Sequence, residues 1–391
     1  MQSKSESWMF DQYKSIFEKA KKDNLIHVNP WLGLFGLQQD PFSMEVIEPS
    51  DKLKFVPRKI YDDLLYKIAL CQRNVKSRVI VTGSLGSGKT FVLKALKLIS
   101  DKNSSLKGHY INFYDLFRKH FEERNARESN EEIDEEPGED TFTAGSSESI
   151  KNLLSSLDYI LIDHASGEQF NQAVKLCANI KCIIFTMAPA EYEHFYLHQR
   201  SSENVLDPVS QFVLDKYELD TPSLKNIVND RFELFTEKGE TPLTVDALFD
   251  ESLVNYMGTV SFHNPGIFMK IIRIFLESMV KESAQRKITR QMIEYQVDML
   301  GLKTCMSNSK ERNEISDKKM EILSMLSKAK KGLTPANITE KMNVTPNNTS
   351  LHLKTLLELH LIEFTRSGKN RFYTVTIGGQ YLVDKYILEH N

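Results

Sequence analysis

The sequence contains little cysteine, which argues against two common ways of stabilising a protein. Its four cysteines, Cys71, Cys177, Cys182 and Cys305, form no C-x-x-C pair and have no histidine cluster beside them. A zinc site or a disulfide framework is therefore not expected. Cys177 and Cys182 lie in apolar stretches and are predicted to be small core residues. This usage fits a reducing, cytoplasmic compartment.

Long apolar runs are also missing. No run approaches the roughly 20 apolar residues that cross a bilayer, so no membrane partner is expected. The first residues, MQSKSESWMFDQYK, contain neither an apolar h-region nor a small-residue cleavage site, which argues against a secretory signal. With 41% hydrophobic and 26% charged residues, the composition is that of an ordinary folded protein.

The net charge is small, −3 over 391 residues, which argues against a uniformly basic nucleic-acid binder. The charges are unevenly placed, however. Residues 122–149 carry eleven acids against two bases, which predicts a solvated or disordered loop. A role in repelling or mimicking nucleic acid is the alternative. Residues 317–391 carry eleven bases against seven acids, so the small total conceals a mildly basic segment.

Short β-rich runs alternate with helical segments in the first half of the chain. This alternation predicts an α/β fold in which helices cover both faces of a parallel sheet. The predicted strands are 78–83, 110–114, 159–164, 182–187 and 212–219. The predicted helices that follow are 223–238, 246–257, 264–282 and 289–299.

The strongest motif is GSLGSGKT at 83–90, which matches G-x-x-x-x-G-K-(S/T) in full. The apolar run RVIVT precedes it and the helical run FVLKALKLI follows, as a phosphate-binding P-loop requires. Lys89 is predicted to neutralise the β- and γ-phosphates, and Thr90 to bind Mg²⁺. The expected cofactors are ATP and Mg²⁺. The predicted nucleotide-binding residues of the loop are Gly83, Ser84, Gly86, Ser87, Gly88, Lys89 and Thr90.

A second signal is the apolar run LDYILIDH at 157–164, which ends in an acid as a Walker B strand does. Asp163 is predicted to hold Mg²⁺. His164 follows where such ATPases usually carry a glutamate that orients the attacking water. A protonated histidine cannot act as a base, so nucleotide binding is expected and hydrolysis is in doubt. The alternative for His164 is a polar strand-end residue, tolerated because hydrolysis is slow or dispensable.

Thr186 stands near the end of the neighbouring apolar run CIIFTM. It is predicted to sense the γ-phosphate or to hold the attacking water. A surface threonine at a strand end is the alternative.

These motifs, with the helices that follow, resemble the AAA+ ATPases. The residues FVPR at 55–58, before a helix and the P-loop, are similar to the nucleotide-entrance segment of archaeal and eukaryotic origin-recognition and replication-initiator proteins. This resemblance implies that Pro57 and Arg58 lie against the adenine. The residues LFGL and DPF between 34 and 42 instead resemble ExeA-type and transposition-associated AAA+ ATPases.

Two features of the family are not found. The residues HNPGIF stand where relatives carry a Gly-x-Pro-Arg-like sequence, and the sensor-2 arginine would fall at Gly266. Lys270 and Arg273 are candidate substitutes, although surface or core-rim roles are favoured. Arg200 and Arg231 are candidate arginine fingers, and neither is assigned. Together with the histidine after the Walker B acid, these departures favour an ATP-binding switch over a fast motor.

Residues 317–391 follow a helix–helix–helix–hairpin–helix pattern. Thr334-Pro335 and Thr345-Pro346 are predicted to open the second and third helices, with threonine as N-cap and proline at the first position. The inward-facing residues of the third helix and the turn after it are predicted to be Leu351, Leu353, Leu356, Leu357 and Leu361.

This order resembles a winged helix-turn-helix, in which the third helix enters the major groove and the hairpin contacts the backbone or minor groove. The resemblance implies double-stranded DNA as a partner, and a protein-interaction module is the alternative. The predicted DNA contacts are Asn347, Asn348, Ser350 and Lys354 on the helix, and Arg366, Lys369 and Arg371 on the hairpin.

The predicted organisation has five parts. They are an N-terminal helix and entrance segment (1–43), an AAA+ core (44–220), a helical lid (221–304), a linker (305–316) and a winged helix (317–391). The predicted function is an ATP-binding, DNA-binding AAA+ protein, similar to origin-recognition ATPases, with weak hydrolysis. A transposition- or conjugation-related ATPase and a non-hydrolysing transcription or docking switch are the alternatives. Besides DNA, the candidate partners are further copies of this chain or other AAA+ subunits.

Overall fold

A computed structural model of the chain describes 29–42, 58–103, 105–113, 154, 156–167, 170–201, 209–281, 288–306, 315–329, 331–368 and 370–390. Residues 1–28 of the predicted N-terminal segment and the predicted acidic loop at 122–149 lie outside these residues. Pro57 and Lys369, predicted for the nucleotide and DNA sites, also lie outside them.

The strands and helices of the described residues are numbered in chain order. The strands are Ser77–Thr82 (β1), Gly108–Asn112 (β2), Tyr159–Asp163 (β3), Cys182–Met187 (β4), Val209–Val213 (β5), Ile362–Ser367 (β6) and Asn370–Val375 (β7). The helices are Pro30–Leu34 (α1), Lys59–Ala69 (α2), Lys89–Asn103 (α3), Phe170–Leu176 (α4), Pro189–Ser201 (α5), Thr221–Phe235 (α6), Val245–Leu248 (α7), Glu251–Val260 (α8), Pro265–Lys281 (α9), Arg290–Met299 (α10), Leu302–Met306 (α11), Asp317–Lys328 (α12), Pro335–Met342 (α13), Pro346–Glu358 (α14) and Ile377–His390 (α15).

The first five strands form one parallel sheet in the order β2-β3-β4-β1-β5. Every residue of β3 and β4 is buried, because helices cover both faces of a parallel sheet. The P-loop leaves the carboxyl end of β1, and Thr186 of β4 lies beside Val81 in the register. This arrangement confirms the predicted α/β fold with a parallel sheet.

The last strand of this sheet differs from the prediction. It covers Val209–Val213 and is followed by a 3₁₀ turn at Leu214–Lys216, whereas the apolar run had predicted a strand from 212 to 219. In this turn the Asp215 carboxylate accepts a hydrogen bond from the backbone N–H of Ser84 at 2.8 Å.

The described residues divide into two compact units. The first holds the described part of 57–218 together with 380–390, and its core lies between the sheet and its helices. Phe170 is central to that core, with ring centroids 4.6 Å from both Phe185 and Phe195. The second unit holds 29–42 and the described part of 219–379.

Residues 29–42 pack within the second unit. Trp31, Leu32 and Leu37 are fully buried there. Phe42 packs edge-on against Phe232 of α6 at 5.7 Å, and Arg231 donates a hydrogen bond to the Pro41 carbonyl at 2.7 Å. Residues 29–42 are therefore part of the helical core of this unit.

The predicted helix at 246–257 is two helices. The helix α7 ends at Leu248, and α8 starts after Asp250, whose carboxylate accepts a hydrogen bond from the Leu253 N–H at 3.0 Å. An N-cap of this kind satisfies an otherwise unpaired donor and starts a new helix.

The elements predicted for 317–390 are all present, from α12 to α15. Thr334 and Thr345 cap α13 and α14, and Thr334 forms a reciprocal capping box with Asn337. The predicted inward face of α14 is partly wrong, since Leu351 is 62% exposed and Thr349 is fully buried instead. The Thr349 hydroxyl accepts a hydrogen bond from Thr339 at 2.9 Å, which satisfies this polar group inside the core.

Within the described part of the chain, no helix is both long enough and apolar enough to cross a membrane.

Candidate nucleotide-binding site

The P-loop follows β1 and opens α3. Gly86 and Gly88 have φ angles of 81° and 93°, in the left-handed region that glycine adopts without strain. A Cβ atom on Gly83 would lie 2.8 Å from the Ser87 hydroxyl and 2.9 Å from the Asp215 carboxylate. The three glycines of the motif are therefore required by backbone conformation or by close packing.

Lys89 points back into the loop. Its Nζ donates hydrogen bonds to the carbonyl oxygens of Gly83 at 2.7 Å and Ser84 at 3.1 Å. Burial lowers the pKa of Lys89, while three nearby acids, Asp384, Asp215 and Asp163, oppose that shift. The buried Lys89 thus lies in the field of three carboxylates, and the loop is a strongly polar site.

Asp163 lies at the carboxyl end of β3 and receives several hydrogen bonds. The Thr186 hydroxyl donates to its Oδ1, and the Tyr110 hydroxyl donates to its Oδ2 at 2.9 Å. Burial alone raises the pKa of Asp163, but hydrogen bonds from His164, Thr186 and Thr90 lower it to about 2. Asp163 is therefore an ionised oxygen donor beside the Thr90 hydroxyl, a donor set that suits Mg²⁺.

His164 is held by the same carboxylate. Its φ angle is 58°, and its backbone N–H donates to Asp163 Oδ1 at 3.1 Å and to the Thr186 hydroxyl at 3.0 Å. Its Nδ1 lies 3.2 Å from Asp163 Oδ2, and the side chain is 60% exposed. The hydrogen bond to Asp163 raises the pKa of His164, which favours the imidazolium and not a free base.

Arg58 lies next to the P-loop. Its Nη1 donates to the Ser87 carbonyl at 3.0 Å, and burial lowers its pKa. The Nε of Arg58 and the hydroxyl of Ser87 are buried without a hydrogen-bond partner among the described residues. Unpaired buried donors at a glycine-rich loop fit a ligand with phosphate oxygens, since such a ligand supplies the missing acceptors. The residues present therefore fit ATP and Mg²⁺.

The sequence did not predict two further acids at the loop. Asp215 accepts hydrogen bonds from both the backbone N–H and the hydroxyl of Ser84. Asp384 of α15 accepts from the Leu85 N–H at 2.8 Å. Asp215 follows an apolar strand, as Asp163 does, and that pattern was its available signal. Asp384 is 299 residues from Leu85 and has no local signal.

The predicted DNA contacts lie on two elements of the second unit. Asn347, Asn348, Ser350 and Lys354 are exposed along the start and middle of α14. Arg366 and Arg371 are exposed and face each other across the β6–β7 hairpin. The Arg371 guanidinium also lies 5.1 Å from the Phe364 ring centroid, which holds one cation above an aromatic face.

The candidate substitutes for family arginines have other contacts. Arg273 forms ion pairs with Asp40 at 3.2 Å and Glu277 at 2.7 Å. Arg231 donates a hydrogen bond to the Pro41 carbonyl, and burial lowers the pKa of Arg231 to about 10. Lys270 is exposed, and the side chain of Arg200 lies outside the described residues.

No family model and no curated protein match the chain. Solved structures do match it. Cdc6p from Pyrobaculum aerophilum is 13% identical, with 89% of this chain and 97% of that one covered at a TM-score of 0.38. AMPPCP-bound DnaA from Aquifex aeolicus is 14% identical, with 79% and 92% covered at 0.39. Domain III of the Thermotoga maritima replication initiation protein DnaA is 14% identical, with 66% and 95% covered at 0.35. The chain is thus similar in fold to these three structures, at 13–14% identity.

Proposed function

We propose that the protein binds ATP with Mg²⁺ at the P-loop and binds double-stranded DNA through residues 317–391, acting as a winged helix. The observation that carries the nucleotide site is the ionised Asp163, held by Thr186 and Tyr110 beside the P-loop threonine. Structural acids are common at strand ends, but this one is buried and joined to Thr90. That pairing is what a metal bound to a nucleotide requires.

Each residue of the site has a distinct role in this proposal. The loop amides and the start of α3 bind phosphate oxygens, because an N-terminal helix end carries partial positive charge. Lys89 adds a full positive charge, Thr90 and Asp163 supply oxygen ligands for Mg²⁺, and Thr186 fixes the Asp163 carboxylate. Bound Mg²⁺ neutralises charge on the phosphates.

Hydrolysis is weak in this proposal. The residue after Asp163 is a histidine whose pKa is raised by that same carboxylate, so it does not supply a base for water. This observation also favours the second candidate function, a switch that binds ATP without turnover and uses 317–391 for transcription or docking. A phosphate-release assay with and without duplex DNA separates the two, because DNA-stimulated release excludes the non-hydrolysing switch.

The DNA-binding part of the proposal rests on exposure and charge. The polar residues of α14 and the two hairpin arginines are solvent-accessible on neighbouring elements of a mildly basic segment. Amides and hydroxyls on a helix read base edges, and arginines bind phosphates. An origin-recognition-like role is the version that we favour, and a transposition- or conjugation-related role is the alternative.

The nucleotide site is tested by titrating the full chain with a fluorescent ATP analogue and Mg²⁺. We expect Lys89→Ala to weaken binding by about 10-fold or more, since it removes a charge-assisted contact. Lys97→Ala is the matched control, because Lys97 lies on the same helix and pairs with Asp101 at the surface. Equal affinity of Lys89→Ala and the wild type would contradict the proposed site.

A further inference from the structure

A carboxylate from a distant helix occupies part of the P-loop. Asp384 lies in the middle of α15 and is 3% exposed. Its Oδ2 accepts the backbone N–H of Leu85 at 2.8 Å, and its Oδ1 accepts a hydrogen bond from Gln380 at 2.7 Å. Residues 380–390 belong to the same compact unit as the loop, so this is a contact within one unit.

This contact has the chemistry of a bound phosphate. The N–H groups of a glycine-rich loop are donors for anionic oxygens, and a carboxylate offers the same kind of acceptor. Lys89 attracts Asp384 across the loop, as it attracts phosphate. Burial raises the pKa of Asp384, while the Leu85 N–H, Gln380 and Lys89 oppose that shift. The polar groups of the loop thus offset part of the cost of burying this acid.

We infer that Asp384 competes with nucleotide phosphate for the P-loop, so that nucleotide binding displaces α15 from it. The inference rests on the proposed nucleotide site and assigns that site an internal regulator. Two anions cannot share one amide donor and one lysine without repulsion. The ligand therefore binds only after the Asp384 carboxylate has left the Leu85 N–H.

The helix α15 crosses the boundary between the two compact units. Residues 377–379 of α15 belong to the second unit and residues from 380 onward to the first. Gly378 and Gly379 pack so tightly that added Cβ atoms would lie 2.3 Å from the Gly301 carbonyl oxygen and 2.1 Å from that of Leu361. The start of α15 is therefore fixed by backbone contacts within the second unit.

The first test measures affinity for a fluorescent, non-hydrolysable ATP analogue with Mg²⁺ in the full chain. We expect Asp384→Asn to bind about 5-fold to 10-fold more tightly than the wild type, because the competing charge is gone. Glu389→Gln is the matched control, since it removes an acid from the exposed side of the same helix, where Glu389 pairs with Lys385. Its affinity should stay within about twofold of the wild type. Unchanged or weaker binding by Asp384→Asn would overturn the inference.

Lys89→Ala, titrated in parallel, separates this inference from the nucleotide site itself. If Lys89→Ala weakens binding and Asp384→Asn has no effect, the site stands and the competition is wrong. If Lys89→Ala also binds like the wild type, the proposed nucleotide site fails.

A second test needs no variant and decides the matter if Asp384→Asn does not fold. Amide hydrogen exchange of the wild-type chain is compared with and without the same analogue. We expect faster exchange in 380–390 and slower exchange in 83–90 once the analogue is bound. Protection of 380–390 that is unchanged or increased in the presence of bound analogue would overturn the inference.

Discussion

At the scale of single residues, His164 bears most directly on whether the proposed nucleotide site can hydrolyse ATP. Its backbone N–H and its ring both contact Asp163, and the raised pKa follows from that carboxylate. A glutamate at this position would place a second carboxylate beside Asp163, where it could accept a proton from water. We therefore expect His164→Glu to raise the rate of ATP hydrolysis by about 10-fold or more, in line with the effect of general bases.

The measurement is phosphate release at saturating ATP, and His164→Gln is the matched control. Glutamine has the same length as glutamate and no basic carboxylate, so its rate should stay near that of the wild type. A rate in His164→Glu no higher than in His164→Gln would show that another group limits hydrolysis.

The residues of the P-loop were predictable because their motif is local. Eight consecutive positions hold the glycines, Lys89 and Thr90, and the structure places Asp163 and Thr186 beside them. Tyr110 and Asp384 were not predictable, because each reaches the site through a long-range contact of the fold. Sequence periodicity carries no information about which distant acid a loop amide will meet.

At the scale of elements, capping residues and buried polar groups explain where pattern reading failed. An apolar pattern ran through 246–257, but Asp250 starts a separate helix by binding the Leu253 N–H. On α14 the buried face is Thr349, Leu353 and Leu356, at helical spacing, and Leu351 lies off it. Hydrophobicity alone predicts that Leu351 is buried and Thr349 is exposed. Thr349 is buried instead because the Thr339 hydroxyl hydrogen-bonds its side chain.

The start of α15 gives a prediction about packing. A methyl group at Gly379 would collide with the Leu361 carbonyl, which is backbone and cannot rotate away. We expect Gly379→Ala to lower the free energy of unfolding of the second unit by about 3 kcal/mol. The measurement is chemical denaturation followed by circular dichroism.

Gly239→Ala is the control in the same unit. Gly239 has a φ of 96° and nothing within 4 Å of an added Cβ, so backbone strain is its only cost. That cost is about 1 kcal/mol. Similar losses in the two variants would show that the close approach at Gly379 is relieved by a small shift.

At the scale of the whole molecule, the net charge of −3 does not describe the surface that would meet DNA. Arg366 and Arg371 are paired across the hairpin, where two cations on one edge can contact two phosphates. We expect the double variant Arg366→Ala/Arg371→Ala to reduce the slope of log affinity against log salt by about 2. Fluorescence anisotropy of a labelled duplex at several salt concentrations measures it.

A double variant with the same loss of charge elsewhere in the second unit serves as control. Lys225 and Arg290 are paired with Asp246 and Glu294 and lie outside 317–390. Lys225→Ala/Arg290→Ala should leave the slope nearly unchanged. A slope that falls equally in both variants would mean that total charge, and not the hairpin, governs binding.

The order of the sheet also has a consequence for synthesis. The strand β1 pairs with β4, which follows about 100 residues later, and the Leu85 amide meets a carboxylate 299 residues later. At about 5–20 residues per second, the ribosome makes β4 about 5–20 s after β1, and Asp384 about 15–60 s after Leu85. During translation the phosphate-binding loop therefore exists for tens of seconds before its internal anion does. The anion of the proposed competition is therefore synthesised last, after the loop that it contacts.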